Sequence, residues 1–236
     1  MKRVAISQSN YVPWKGYFDL IQSVDEFVLL DDVQYTKRDW RNRNLIKTPR
    51  GLRWLTIPVR TKAKFLQTIR DTEIADPRWP ERHWQAICSA YRSAPGWKDC
   101  ETWLGRLYHD TPRDRLSEVN RHFLSAICEQ LGIRTLIRSS AEFTLSGDAS
   151  QRLLGICREL DAGVYYSGPA AVDYLDQRIF GDAGIEIRWM QYEGYPAYRQ
   201  LHGPFEHRVS ILDLLLNEGR DAPRFITAAR LDPFSP

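Results

Sequence analysis

Apolar and polar positions follow two different periods along this chain, and each change of period marks an element. Positions 3–7 form a short apolar run that ends in Ser7-Gln8-Ser9-Asn10, which predicts a buried strand with a polar exit. Pro13 stands where a helix begins, and Tyr17, Phe18, Leu20 and Ile21 recur at helical spacing. A second apolar run, 26–30, stops on Asp31 and Asp32. Strand, helix and strand within about 30 residues make one βαβ unit, so the two strands are expected to be parallel.

The period then shifts. Positions 44–48 and 52–59 flank the turn signal Pro49-Arg50-Gly51, which predicts a β-hairpin, and a further strand is expected over 68–75. From 80 to 132 the pattern is helical, with Trp84, Ile87, Tyr91, Trp103, Leu107, Phe123 and Ile127 at three-to-four spacing and breaks at Pro95-Gly96 and Thr111-Pro112. The tryptophans here suit packing between helices. Beyond Gly132, strand and helix alternate again: strand 135–138, helix 150–160, strand 164–167, helix 171–180, strand 185–192 and helix 210–217. The expected fold is α/β, one domain over 1–236. It has a mostly parallel sheet with flanking helices, a β-hairpin, and a helical insertion at about 78–132.

Composition narrows the class. In 236 residues, 33 basic and 30 acidic side chains leave a net charge of +3, which gives no argument for nucleic acid. Cys88, Cys100, Cys128 and Cys157 lack metal or disulfide spacing and read as reduced thiols. The N-terminus has no signal-peptide pattern, and no apolar run approaches the roughly 20 residues of a bilayer span. A cytoplasmic protein with no membrane partner, no nucleic-acid partner and no metal is expected.

In an open parallel sheet, ligands bind beyond the C-terminal ends of the strands. That rule selects Ser7, Gln8, Asn10 and Tyr11 after the first strand, Asp31 and Asp32 after the second, and Ser167 and Gly168 before Pro169. The dense polar run that follows Asp32 adds Lys37, Arg41, Asn42, Arg43 and Lys47 as candidates for phosphate or carboxylate oxygens. Trp40 lies among them, suited to stacking on a flat ring. A solvated surface loop is the plainer use of such a run. His202, in an aperiodic stretch before Gly203-Pro204, is a candidate general base, although a loop histidine is more often merely exposed. His83, His109, His122 and His207 fall on or beside helices and read as structural or surface groups.

Several stretches together resemble the WbqC-like family. They are residues 5–18 (Ala-Ile-Ser-Gln-Ser-Asn-Tyr-Val-Pro-Trp-Lys-Gly-Tyr-Phe), Leu30-Asp31-Asp32-Val33-Gln34-Tyr35, and Trp40-Arg41-Asn42-Arg43-Asn44-Leu45-Ile46-Lys47-Thr48. Further on come Trp54-Leu55-Thr56-Ile57-Pro58-Val59, Tyr166-Ser167-Gly168-Pro169, Asp173-Tyr174-Leu175, Gln200-Leu201-His202-Gly203 and Ser210-Ile211-Leu212-Asp213-Leu214-Leu215. The resemblance keeps the same order over nearly the whole chain. One departure stands out: in the family pattern the first strand runs into His-Gln-Pro, where this chain has Ser7-Gln8-Ser9. A serine cannot replace a histidine base near neutral pH, so the load would fall on His202 or an aspartate such as Asp32.

The resemblance implies bacterial surface-polysaccharide or secondary-metabolite biosynthesis. The implied reaction is transfer of an acyl or aminoacyl (glycine-type) group to an amino sugar or other small amine. Such a transferase would take a thioester or other activated acyl donor as co-substrate, presented in some cases by an acyl or peptidyl carrier protein. It would need no tightly bound cofactor. Two rival classes stay open: a nucleotidyl- or phosphoryl-transfer enzyme, for which no phosphate motif is present, and a non-catalytic small-molecule-binding protein, which Ser7 keeps open.

Overall fold

The computed structural model describes residues 1–227. Its frame is a five-stranded parallel sheet built from β1 (Lys2–Ser7), β2 (Glu26–Leu29), β5 (Leu136–Ser139), β6 (Ala162–Ser167) and β7 (Glu186–Trp189). The spatial order is β5-β2-β1-β6-β7. The sheet is wound outward twice from β1, and its direction of winding reverses between β1 and β6. Every pairing is parallel, as the βαβ reading requires. The antiparallel hairpin of β3 (Arg43–Thr48) and β4 (Gly51–Thr56) forms a separate ribbon. Gly51, at φ +102°, closes its two-residue turn in a conformation that favours glycine.

Alternation along β1 explains the layers. Val4 and Ile6 face one side, where they join Leu153, Leu154 and Ile156 of α5 (Ala149–Glu159) and Phe180 of α6 (Gln177–Asp182). Ala5 faces the other side and enters a larger core with α1 (Lys15–Gln22), α2 (Trp79–Tyr91), α3 (Trp97–His109), α4 (Leu116–Gln130) and α7 (Ile211–Glu218). The inserted helices α2–α4 thus share one core with α1, α7 and the hairpin.

Three expected elements differ. Residues 68–75 are not a strand, because Thr68 and Asp71 close a turn: the Thr68 hydroxyl donates to Asp71 at 2.7 Å and accepts the Asp71 N–H at 3.0 Å. Only isolated bridges remain there, Gln34 with Thr68 and Val59 with Ile74 among them. The helix expected over 171–180 is broken into a 3-10 turn at Pro169–Ala171 and α6. Asp176 restarts the helix by accepting the Arg178 N–H at 3.1 Å, as an N-cap does. The last strand is also shorter than expected. Met190 N–H makes its final bond to Ser167 O, and the chain then leaves the sheet through Gly194, at φ +77°.

Candidate functional site

A cavity of about 610 Å³ opens at the C-terminal edge of the sheet. One wall is the segment after β1, with Asn10, Pro13 and Trp14, and the opposite wall follows β7, with Tyr192, Glu193, Gly194 and Tyr195. Trp40 and Asn44 reach it from the hairpin side, and His207 and Arg208 from the segment before α7.

The first wall is held with little freedom. Val12 adopts φ +37°, a strained value for a β-branched residue, and is fully buried. Its carbonyl accepts from Asn44 Nδ2 at 3.0 Å and from Ser210 Oγ at 2.8 Å. Asn44 also donates to Tyr11 O at 3.2 Å and accepts the Leu45 N–H, so its amide is spent on scaffolding. The Tyr11 ring turns away from the cavity into the inserted helices, where its hydroxyl meets His83 Nδ1 at 2.9 Å and Tyr108 Oη at 2.7 Å. His83 Nε2 lies 3.1 Å from Thr56 O. A carbonyl only accepts, so Nε2 carries the proton and Nδ1 accepts from Tyr11. Burial pushes the His83 imidazole down to about 4.

Trp14 packs edge-on against Tyr192 and Tyr195, with centroids at 5.3 and 5.6 Å. It folds back over the first turn of α1, where Gly16 leaves room for it; a Cβ there would overlap the indole. In nucleotide-binding sheets of this winding the diphosphate rests on that first turn. Here an indole covers it.

Lys15 follows directly. It is 3% exposed; its ammonium donates to Pro196 O at 2.8 Å and lies 5.2 Å from the Tyr195 and Tyr198 rings and 5.8 Å from Phe205. Burial draws its pKa down to about 8. His207 packs on Phe205, with centroids 4.6 Å apart. Partial burial lowers its pKa, the nearby Lys15 charge adds to that, and Glu206 opposes it. The Phe205 ring thus lies between the exposed His207 imidazole at the cavity rim and the buried Lys15 ammonium.

The other candidates from the sequence are distributed as follows. Ser7, Gln8, Asn10, Asp31 and Arg41 meet at the ends of β1 and β2, and of these only Asn10 lines the cavity. Tyr17 Oη donates to Gln8 O at 2.8 Å and has Ser7 as a hydrogen-bonding neighbour. Asp31 is buried and accepts the Ser9 N–H at 3.0 Å, a bond that a proline at position 9 has no N–H to make. Desolvation raises the Asp31 pKa against that bond. The Arg41 guanidinium donates to Asn10 Oδ1, which leaves the Asn10 amide nitrogen as the group able to serve a ligand. Ser167 is buried at the end of β6, and a Cβ on Gly168 would stand 3.6 Å from the Tyr192 hydroxyl on the cavity wall.

The remaining candidates are engaged elsewhere. Asp32 pairs with Arg70 at 2.6 Å and accepts from the Ser140 hydroxyl. Asn42 donates to Ile57 O, Arg43 lies on the Trp54 ring at 4.1 Å, and Lys37 reaches over Phe65. Lys47 donates to Gln200 Oε1 at 2.8 Å and Pro204 O at 2.6 Å. His202, at φ +68°, gives its Nε2–H to Ala90 O at 2.7 Å and does not line the cavity. Sequence reasoning passed over Lys15, His207, Arg208 and residues 192–195. The strand-end rule that selected Ser7 and Ser167 applies equally to residues 192–195, and α1 leaves Lys15 no solvent-facing position, since every residue of its first two turns is buried.

The winding of the sheet and the cavity at its C-terminal edge define a three-layer α/β protein with its pocket on the side that such sheets use for ligands. The chain belongs to the WbqC-like protein family, whose model matches residues 8–225. It is 47% identical over 230 residues to the uncharacterized protein Rv1507c of Mycobacterium tuberculosis (strain ATCC 25618 / H37Rv), an alignment covering 98% of this chain and 100% of that protein. No solved structure matches the chain. Among the described residues no helix is long and apolar enough to cross a membrane.

Proposed function

We propose that the protein transfers an acyl or aminoacyl group from an activated donor to a small amine, with an amino sugar as the best-fitting acceptor. The observation that carries this reading is the His207 imidazole at the rim of a cavity lined by Trp14, Trp40, Tyr192 and Tyr195, its pKa lowered by desolvation and by the Lys15 charge. Trp14, Trp40 and Tyr192 offer ring faces and edges to a sugar, and the Asn10 amide offers a hydrogen bond. The amine nitrogen attacks the acyl carbon of a thioester, and its proton passes to the His207 imidazole. The tetrahedral intermediate collapses with loss of the thiolate, which takes that proton from the imidazolium. Arg208 at the rim supplies positive charge for a donor phosphate or for the developing oxyanion. This assignment moves the base from His202 and Asp32, whose side chains are engaged outside the cavity, to His207. The Trp14 indole over the α1 first turn weighs against the phosphoryl-transfer alternative.

Mass-spectrometric turnover of amino-sugar and amine acceptors with coenzyme- and carrier-bound acyl donors tests the proposal. Acylated product that falls about 10²–10⁴-fold in His207→Asn, with an unchanged melting temperature, is expected. Nucleotide consumption without acylation, or tight binding with no turnover of any donor, would overturn it.

A further inference from the structure

Positions 33 to 69 carry ten lysines and arginines and a single acidic residue, Asp39, in a chain whose net charge is only +3. Six of the ten are exposed, Lys37, Arg38, Arg50, Arg53, Arg60 and Lys62; Lys47 is buried, and Glu73 pairs with Arg60 and Lys64. That segment builds the hairpin and the loops on either side of it. It also holds five large apolar side chains that face solvent: Trp40, Leu52 and Trp54, with Phe65 and Leu66 on the loop beyond, the last two 73% and 85% exposed. Contacts tie them to the cations. The Lys37 ammonium stands 5.4 Å from the Phe65 ring, Arg43 lies 4.1 Å from Trp54, and Trp54 meets Trp40 at 5.4 Å. Leu52, two residues before Trp54, shares its face of β4.

Single exposed apolar side chains are ordinary, but several of them on one short segment, each set among exposed cations, mark a contact surface. We propose that this face docks on an anionic phospholipid surface, with Phe65 and Leu66 entering the acyl boundary and the exposed Lys37, Arg38 and Lys62 among the cations that meet the headgroups. A nucleic-acid strand would need open ring faces for its bases, whereas Arg43 occupies one face of Trp54 and Trp40 leans on the same ring. An acidic protein would hold its affinity in anchors seated in a pocket, whereas Phe65 and Leu66 project into solvent. Apolar side chains that project among cations, with indoles beside them, have the composition that a bilayer interface accepts. Trp40 also lines the cavity, so docking brings the cavity mouth to the headgroup layer. The sequence-based expectation of no membrane partner rested on the lack of a spanning run, which a surface contact does not need. The contact stands independently of the transfer reading.

Co-sedimentation of the full chain with vesicles tests it directly and requires no substrate. Binding is expected to vesicles of phosphatidylglycerol mixed with phosphatidylcholine, near background on phosphatidylcholine alone, and falling steeply with added salt. The double variant Phe65→Ser, Leu66→Ser should bind at least about tenfold more weakly. Lys62→Glu, a single change at an exposed position, should also weaken binding while the melting temperature holds. The proposal is overturned if the wild-type chain stays in solution with anionic vesicles, or if it binds neutral vesicles equally well. It is also overturned if both variants sediment like the wild type, or if they lose affinity only for a single-stranded oligonucleotide or an acidic polypeptide.

Discussion

Acidification should loosen the cavity wall through His83, and the size of the effect follows from its surroundings. The folded chain holds this imidazole neutral, with Nε2–H on Thr56 O and Nδ1 on the Tyr11 hydroxyl, and burial draws it from 6.5 to about 4. Between those two values the unfolded chain binds a proton that the folded chain refuses. Stability therefore falls as pH is lowered from about 6.5, and the loss is complete once the pH is below about 4. The displacement corresponds to roughly 3 kcal/mol, a large part of the stability of an ordinary domain. Tyr11 is next to Asn10 and Val12, so the loss is felt in the segment that walls the cavity. Urea unfolding at several pH values between 7 and 4 measures it, with His83→Gln as reference. The glutamine amide still has an N–H for Thr56 O, but it has no proton to gain in this range. The variant starts less stable at pH 7, by about 1–3 kcal/mol for the acceptor lost to Tyr11. Subtracting its pH profile cancels the carboxylates common to both chains. Parallel profiles, or an imidazole that titrates near 6.5 by NMR, would refute the reasoning.

Other consequences are equally open to measurement. Gly16→Ala should displace the Trp14 indole, changing tryptophan fluorescence and weakening cavity ligands more than it lowers the melting temperature; unchanged emission would show that the ring stays put. Tyr91→Phe removes one of the three side chains that donate to the buried Asp213 carboxylate, the others being Tyr198 and Gln200. It should cost about 1.5–3 kcal/mol in chemical denaturation, and a loss near zero would mean that water replaces the hydroxyl. Lys15→Met should raise the His207 pKa toward the ordinary histidine value, read by NMR titration, and should move the acid limb of turnover upward in pH. A His207 titration identical in both proteins would remove Lys15 from its surroundings. Asn44→Ala should lower stability by about 2 kcal/mol or more, since the Tyr11 and Val12 carbonyls lose a donor beside a strained backbone; a neutral result in thermal melts would refute that.

The order of elements was legible in the one-dimensional pattern. A strand buried on both faces reads as an apolar run, and the polar exits at Ser7, Asp31 and Ser167 mark where each run meets the C-terminal edge of the sheet. Local chemistry was harder to weigh: the Thr68–Asp71 turn and the Asp176 cap each overrode a period that looked continuous. The site was least legible. Sequence shows that Lys47 and His202 are polar; it does not show that Lys47 spends its charge on Gln200 and Pro204, or His202 its N–H on Ala90. Those partners lie more than 100 positions away, and only the packing of α2 and α7 around the hairpin brings them together. The same packing closes every solvent-facing direction around Lys15 and sets it beside the imidazole of His207. Amphipathic periods depend on neighbours three or four residues apart, whereas the charge and accessibility of a side chain depend on whatever long-range partners the folded chain brings to it.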